Sequence, residues 1–269
     1  MRSYKGTFWY SLLVTLLLLL PLMGAVLFFA SQRQNQQQLR QAAAARGGVA
    51  VQQGAQQTHR LLLAVQAEEP GFLLLRVDGP GRTLRFCGLP GSLWVSAPAG
   101  RTTLAECMAA AGPGRVLQLL TGTAATAETS LPAAHYLAAT PATWAACIGE
   151  QTTARIGLGS EIVTLTGADA PAFVAGHGAE PALRTAVWEA FARQNPDALR
   201  NVPDALRRYS ARTLTSLRTQ DLTALADTLN VLADIPTMTV DYEIAETVPD
   251  GGGRALTGEG LRQVLSVLG

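Results

Sequence analysis

Residues 11–30 read SLLVTLLLLLPLMGAVLFFA, 20 consecutive positions without a charge. As a helix, such a run crosses about 30 Å of hydrocarbon, and few water-soluble folds accommodate one. Phe8, Trp9 and Tyr10 stand at its start, where aromatic rings favour the membrane interface. A cleaved leader would have an apolar core of about 7–15 residues and then a small-residue cleavage site. This run is longer and closes on Phe28-Phe29-Ala30. The expectation is an uncleaved membrane-spanning helix over 11–30, with a short stub over 1–10. Residues 31–58, rich in Gln, Ala and Gly, read as a solvated stalk, since Leu39 is alone where a coiled coil needs a sustained apolar repeat.

Beyond the stalk the chain reads as one folded domain over 59–269. Its 269 residues carry 21 basic and 20 acidic side chains, a net charge of +1. No basic stripe marks a nucleic-acid footprint, so nucleic acid is excluded as a partner. Lys5 is the one lysine, which removes Schiff-base and P-loop chemistry from the domain. Three histidines lie far apart without zinc-ligand spacing, and three cysteines form no C-x-x-C pair.

Strand and helix signals alternate along the domain. RLLLAV (60–65) and FLLLRVD (72–78) are short apolar runs of the kind buried strands show. Gly-Pro-Gly (79–81) connects the second to TLRFCGL (83–89), predicting a hairpin. LWV (93–95) follows. Thr103 with Glu106 predicts a capping box opening a helix over 104–111, Gly112-Pro113-Gly114 breaks it, and a second helix resumes over 115–122. AHYLA (134–138) reads as a strand, and Pro141 opens a helix over 141–149. Strand character recurs over 153–166. Helices are expected over 170–176, over 182–194 with the stripe Val187, Ala190 and Phe191, over 203–209, and over 220–233 with Leu222, Leu225, Leu229 and Leu232 at helical spacing. MTVDYEI (238–244) is an alternating strand, Gly251–Gly253 a loop, and Leu261, Val264, Leu265 and Leu268 mark a closing amphipathic helix. Interleaved strands and helices predict an α/β domain, a central mixed β-sheet flanked by helices, preceded by the one N-terminal transmembrane helix.

Catalytic signatures are missing: no H-E-x-x-H, no G-x-S-x-G, no P-loop. Glu68-Glu69 reads as a solvated loop, and the cysteines, set in apolar stretches, as buried small hydrophobes. A Cys87–Cys107 disulfide is open to a domain outside the cytoplasm. His135 reads as a core or edge histidine. Arg76, Arg82 and Arg85 cluster on the predicted hairpin, and alternation puts Arg76 and Asp78 on one face. A solvent face is the plain reading of these arginines and an anion site the sharper one. The residues alone nominate no catalytic group and no metal site.

Four stretches, taken in order, resemble the LytR–CpsA–Psr family: RLLLAVQAEEPGFLLLRVDGPGRTLRFCGLPGSLWV (60–95), TLAECMAAAGPGRVLQLL (103–120), HYLAATPATWAACIGE (135–150) with Tyr136 and Trp144, and LTGADAPAFVAGHG (165–178). The resemblance covers nearly the whole domain. It implies a membrane-anchored protein outside a Gram-positive cell, N-terminus in the cytoplasm, and a fold that transfers glycopolymers from a polyprenyl-pyrophosphate carrier to peptidoglycan. In the family, arginines and acids hold the pyrophosphate and a magnesium ion. Here Gly91 and Ser92 stand where the family has Arg and Asp, Pro70 falls near a family acid, Gly149 replaces an Asp, and Ala175 and His177 replace arginines. Arg184 is the family-like basic position that remains.

The apolar scaffold is kept while the charged site is vacated. The expectation is therefore a catalytically degenerate relative, with no cofactor, acting in the envelope as a binding or regulatory module. Its partners would be the membrane, a polyprenyl-phosphate lipid or cell-wall glycopolymer, and other envelope proteins. One alternative is an active magnesium-dependent transferase whose Arg76, Arg82, Arg85 and Arg184 converge on one cleft; another is a purely structural interaction scaffold.

Overall fold

A computed structural model describes residues 55–98, 100–125, 131–158, 161–170, 173, 181–235 and 237–269. The expected transmembrane helix, the stalk up to residue 54 and most of the expected 170–176 helix lie outside these residues. Among the described residues no helix is long and apolar enough to cross a membrane.

The apolar run at the start of the domain becomes β1 (Thr58–Val65), the inner strand between β2 (Gly71–Asp78) and β6 (His135–Ala139). A strand covered on both faces shows no polar alternation, which is why LLLAV (61–65) is apolar throughout. β3 (Thr83–Leu89) pairs antiparallel with β2 across the expected hairpin, and β10 (Thr239–Ile244) adds in parallel to β3. β9 (Thr213–Thr215) closes the other edge against β6, so the six strands run β10-β3-β2-β1-β6-β9. With β1 antiparallel to β2 and parallel to β6, the sheet is mixed, as expected.

Two helices cover one face. α1 (Leu104–Ala124) starts on the Thr103–Glu106 capping box: Glu106 N–H donates to Thr103 Oγ1 at 3.2 Å and Thr103 N–H to Glu106 Oε2 at 2.9 Å. As expected, α1 is two helical stretches broken at Gly112, whose φ of 76° and ψ of -179° are non-helical, a conformation open to glycine and costly to other residues. α6 (Gly258–Leu268) is the closing helix, its Val264, Val267 and Leu268 buried. Between them and the sheet lie Leu62, Phe72, Leu74, Cys87, Val116 and Leu120.

The other face carries four helices: α2 (Pro141–Ile148), α3 (Pro181–Gln194), α4 (Val202–Arg208) and α5 (Thr219–Asp234). Leu61, Leu73, Val77, Leu84 and Phe86 point to this side, alternating along each strand with the residues of the first face. The hairpin of β7 (Thr153–Leu158) and β8 (Glu161–Thr166) packs Ile156 and Leu165 against the α3 stripe of Val187, Ala190 and Phe191. Two short ribbons follow: β4 (Trp94–Ala97), whose start the LWV run marked, pairs with β5 (Gly100–Thr103), and β11 (Thr247–Asp250) pairs with β12 (Gly253–Leu256). Each strand is four residues long, too short for alternation to register.

Candidate functional site

The sheet face under α2–α5 is not filled. A cavity of about 140 Å³ lies between it and the helices. Leu61, Leu73, Val77 and Leu84 form its floor, and Leu225 and Leu229 of α5 one wall. Trp144 and Cys147 of α2 and Trp188 and Phe191 of α3 form another. No charged side chain is among the described residues that line it. Trp144 is held rigidly, its Nε1–H donating to the Ala64 carbonyl at 3.2 Å, and its ring meets Trp188 at 6.1 Å between centroids. Neutral apolar walls of this kind take hydrocarbon and reject charge, because an unpaired charge there would lose its hydration without compensation.

Helix α5 is pinned over the cavity by a histidine. His59 of β1, on the same sheet face as Leu61, contacts Thr228 Oγ1 through Nε2 at 2.9 Å. The Thr228 hydroxyl donates to the Ala224 carbonyl at 3.0 Å, so the imidazole is the donor in the first bond. Burial, and then the neighbouring His135, push the His59 pKa below its ordinary value of 6.5, against smaller opposing effects from Ala224 and Asp221. His135 is half-buried at the sheet edge, its Nδ1 3.3 Å from Ser216 Oγ.

The candidate arginines sit elsewhere. Arg76 and Arg85 are register partners on β2 and β3, on the sheet face that α6 covers. Arg76 Nη1 donates to the Ser266 and Gly269 carbonyls at 3.3 and 3.1 Å, and Nη2 pairs with Asp78 at 3.4 Å, on one face as the alternation predicted. Arg60 donates to the same Gly269 oxygen at 2.7 and 3.0 Å. Two guanidinium groups thus meet the C-terminal end of α6, where helix carbonyls lack partners and the dipole favours cations. Arg82 is exposed in the hairpin turn with φ 54°, beside Gly81, whose N–H donates to Asp78 Oδ1 at 3.1 Å. Arg184 lies in the first turn of α3, and its side chain is outside the described set. Arg76 and Arg85 are brought together; the cavity is on the opposite face.

The positions that the resemblance assigns to charged residues carry other tasks. Gly149 ends α2 with φ 96°, and Gly167 approaches so closely that a Cβ on it would fall 2.1 Å from the Gly149 carbonyl oxygen. Gly91 packs near the Pro70 carbonyl and Phe72, and Ser92 is exposed. Together Pro70, Gly91, Ser92 and Gly149 offer one hydroxyl and no carboxylate. Magnesium takes oxygen ligands that include carboxylates, so this set does not fit it, and among the described residues no group of three or more His, Cys, Asp or Glu is placed to hold a metal ion. Glu68 and Glu69 are exposed, as expected of a solvated loop.

Cys87, Cys107 and Cys147 are buried free thiols. Burial drives the Cys87 pKa up to about 12 and that of Cys147 to about 11. Cys87 and Cys107 lie in the core under α1 and α6, Cys147 in the cavity wall. The cavity residues went unnoticed in the sequence because each reads as ordinary core. The one available signal was the wide apolar surface of α3, where Trp188 stands beside the Val187, Ala190 and Phe191 stripe.

No family model matches the sequence, and no curated protein matches it. Solved structures share its fold. A protein of Eubacterium siraeum described as a candidate transcription regulator is 14% identical, with a TM-score of 0.63 over 78% of this chain and 92% of the other. TagT, solved bound to LI-WTA, is 14% identical with a TM-score of 0.59, over 80% and 90%. TagU of B. subtilis is 9% identical with a TM-score of 0.51, over 79% and 97%. TagT and TagU are of the LytR–CpsA–Psr type, so the fold implied by the four sequence stretches is the fold observed.

Proposed function

We propose that this is a membrane-anchored, extracytoplasmic envelope protein whose domain takes the apolar chain of a polyprenyl-type lipid, and that it works as a binding or regulatory module. The observation that carries the reading is the uncharged cavity between the sheet and α2–α5. On the same fold, TagT has been solved with LI-WTA, which supports a wall-polymer carrier as the ligand class. The non-catalytic part rests on Pro70, Gly91, Ser92 and Gly149, which supply neither the charge nor the carboxylates that pyrophosphate and magnesium need. The transferase alternative requires Arg76, Arg82, Arg85 and Arg184 to meet at one cleft, whereas Arg76 and Arg85 sit under α6.

The test uses the full chain in lipid nanodiscs, with a fluorescent polyprenyl phosphate, in magnesium and then in chelator. Saturable binding indifferent to magnesium is expected, with a stabilisation of about 2.7 kcal/mol at a hundredfold excess over Kd. Magnesium-dependent transfer to peptidoglycan would replace this reading with the transferase. Absence of binding would leave an interaction scaffold.

A further inference from the structure

We infer that the segment from Gln194 to Val202 is a gate that must swing aside for a long chain to enter the cavity. The inference rests on the lipid reading for its purpose, but the gate itself is a property of the fold.

The size of the cavity makes the argument necessary. At about 140 Å³ it matches an apolar void that accepts one benzene-sized guest. A polyprenyl chain is many times larger, so some wall has to move before the chain can enter.

The walls are not equally able to move. The floor is the central sheet, with Leu61, Leu73, Val77 and Leu84 almost wholly inaccessible. α2 presents buried Trp144 and Cys147, α3 buried Phe191, and α5 buried Leu225 and Leu229. The remaining wall is made by Val202 and Leu206 of α4, by Asn195, and by Ala198 and Leu199 of a 3₁₀ helix, Pro196–Asn201. Every residue of that helix is at least partly exposed. Segments with few buried apolar contacts open at a fraction of the global unfolding free energy.

The attachments of this strap are of the kind that breaks locally. At one end the Gln194 amide pairs with both backbone groups of Arg155 at 2.9 and 2.7 Å, and Asn195 Nδ2 donates to the Thr153 carbonyl at 2.8 Å. These bonds lie on the exposed edge of β7. At the other end Arg200 pairs with Asp234 of α5 and with Asp197, all three side chains exposed. Exposed ion pairs hold little. A segment tied at both ends by surface bonds, with Leu199 turned inward, is built to hinge, while the α3 and α5 walls stay in place.

Cys147 provides the readout. It is in the cavity wall, whereas Cys87 and Cys107 lie across the sheet in the other core. The full-length protein in nanodiscs is treated with N-ethylmaleimide, and each cysteine is followed by mass spectrometry. The double variant Asn195→Ala with Asp234→Asn should raise the Cys147 labelling rate about five-fold or more and leave Cys87 and Cys107 unchanged. Tying the strap shut, with a bismaleimide across Arg200→Cys and Asp234→Cys, should lower it by a similar factor. If Cys147 tracks Cys87 and Cys107 in every form, only global unfolding opens the cavity and the gate is wrong. Adding polyprenyl phosphate separates the two proposals: protection of Cys147 supports the lipid reading, while selective labelling without protection removes the lipid and leaves the gate.

Discussion

The two faces of the central sheet are built from the same kinds of residue and end in different states. Leu62, Leu74 and Cys87 pack with α1 and α6, and Arg60 and Arg76 bond the end of α6 to the strands. One residue along each strand, Leu61, Leu73 and Phe86 face four helices that leave a cavity. Apolar side chains do not by themselves guarantee a filled core. Filling requires that the covering elements come close enough, and Trp144 and Trp188, meeting at 6.1 Å, hold α2 and α3 apart at the cavity wall. One face carries the arginine bonds to α6 and the other carries the cavity.

Overpacking should break this contrast most visibly. Cys87→Leu adds volume to the filled face and should destabilise by about 1–3 kcal/mol, because close-packed cores cannot absorb extra methylenes. Ala192→Leu, on the cavity side, should be neutral or stabilising, since the added methylenes enter existing space. Chemical denaturation of both variants measures the difference; equal losses would show that the cavity closes in solution.

A comparable effect is expected at the turn that joins the hollow face to its hairpin. Gly149 has φ 96°, and a Cβ there would lie 2.8 Å from Thr152 Oγ1. Gly149→Ala should cost about 1–3 kcal/mol, the range for residues forced into sparsely populated backbone regions. Gly122→Ala, in α1 with nothing near the added carbon, is the control and should be stabilising by a few tenths of a kcal/mol to about 1 kcal/mol. Thermal unfolding of the pair decides it.

The smallest effect sharpens the role of His59 in seating α5. The folded state favours its neutral imidazole, because burial and His135 depress its pKa below 6.5. Unfolding therefore takes up a proton below that value. The stability contribution is complete above pH 6.5 and is lost as the pH falls through 6.5 towards the lower folded-state pKa. His59→Gln should flatten that part of the profile between pH 7.5 and 5.5 while keeping a donor for Thr228. An unchanged slope would place the titration elsewhere.

What was legible from residues was local. The β2–β3 hairpin, the Thr103–Glu106 capping box, the Pro141 helix start and the α5 leucine spacing are signals within a dozen residues, and each appears where the pattern put it. The ribbon strands β5, β11 and β12 were missed because four residues hold only two periods of alternation. The clustering of Arg76 and Arg85 was visible, but their partners were not: Arg76 is completed by Ser266 and Gly269, about 190 residues later, with separations of 190 and 193.

The sequence by itself determined the interleaving of strands and helices, the start of the longer elements and the apolar run over 11–30. These follow from local backbone preference and side-chain chemistry, which need no partner. Only the tertiary structure decided which sheet face each apolar residue joins, that Arg76 meets the C-terminal end of α6, and that a cavity remains between the sheet and α2–α5. Those outcomes depend on the distances between elements far apart in the chain, and packing sets such distances only when all of the elements are in place.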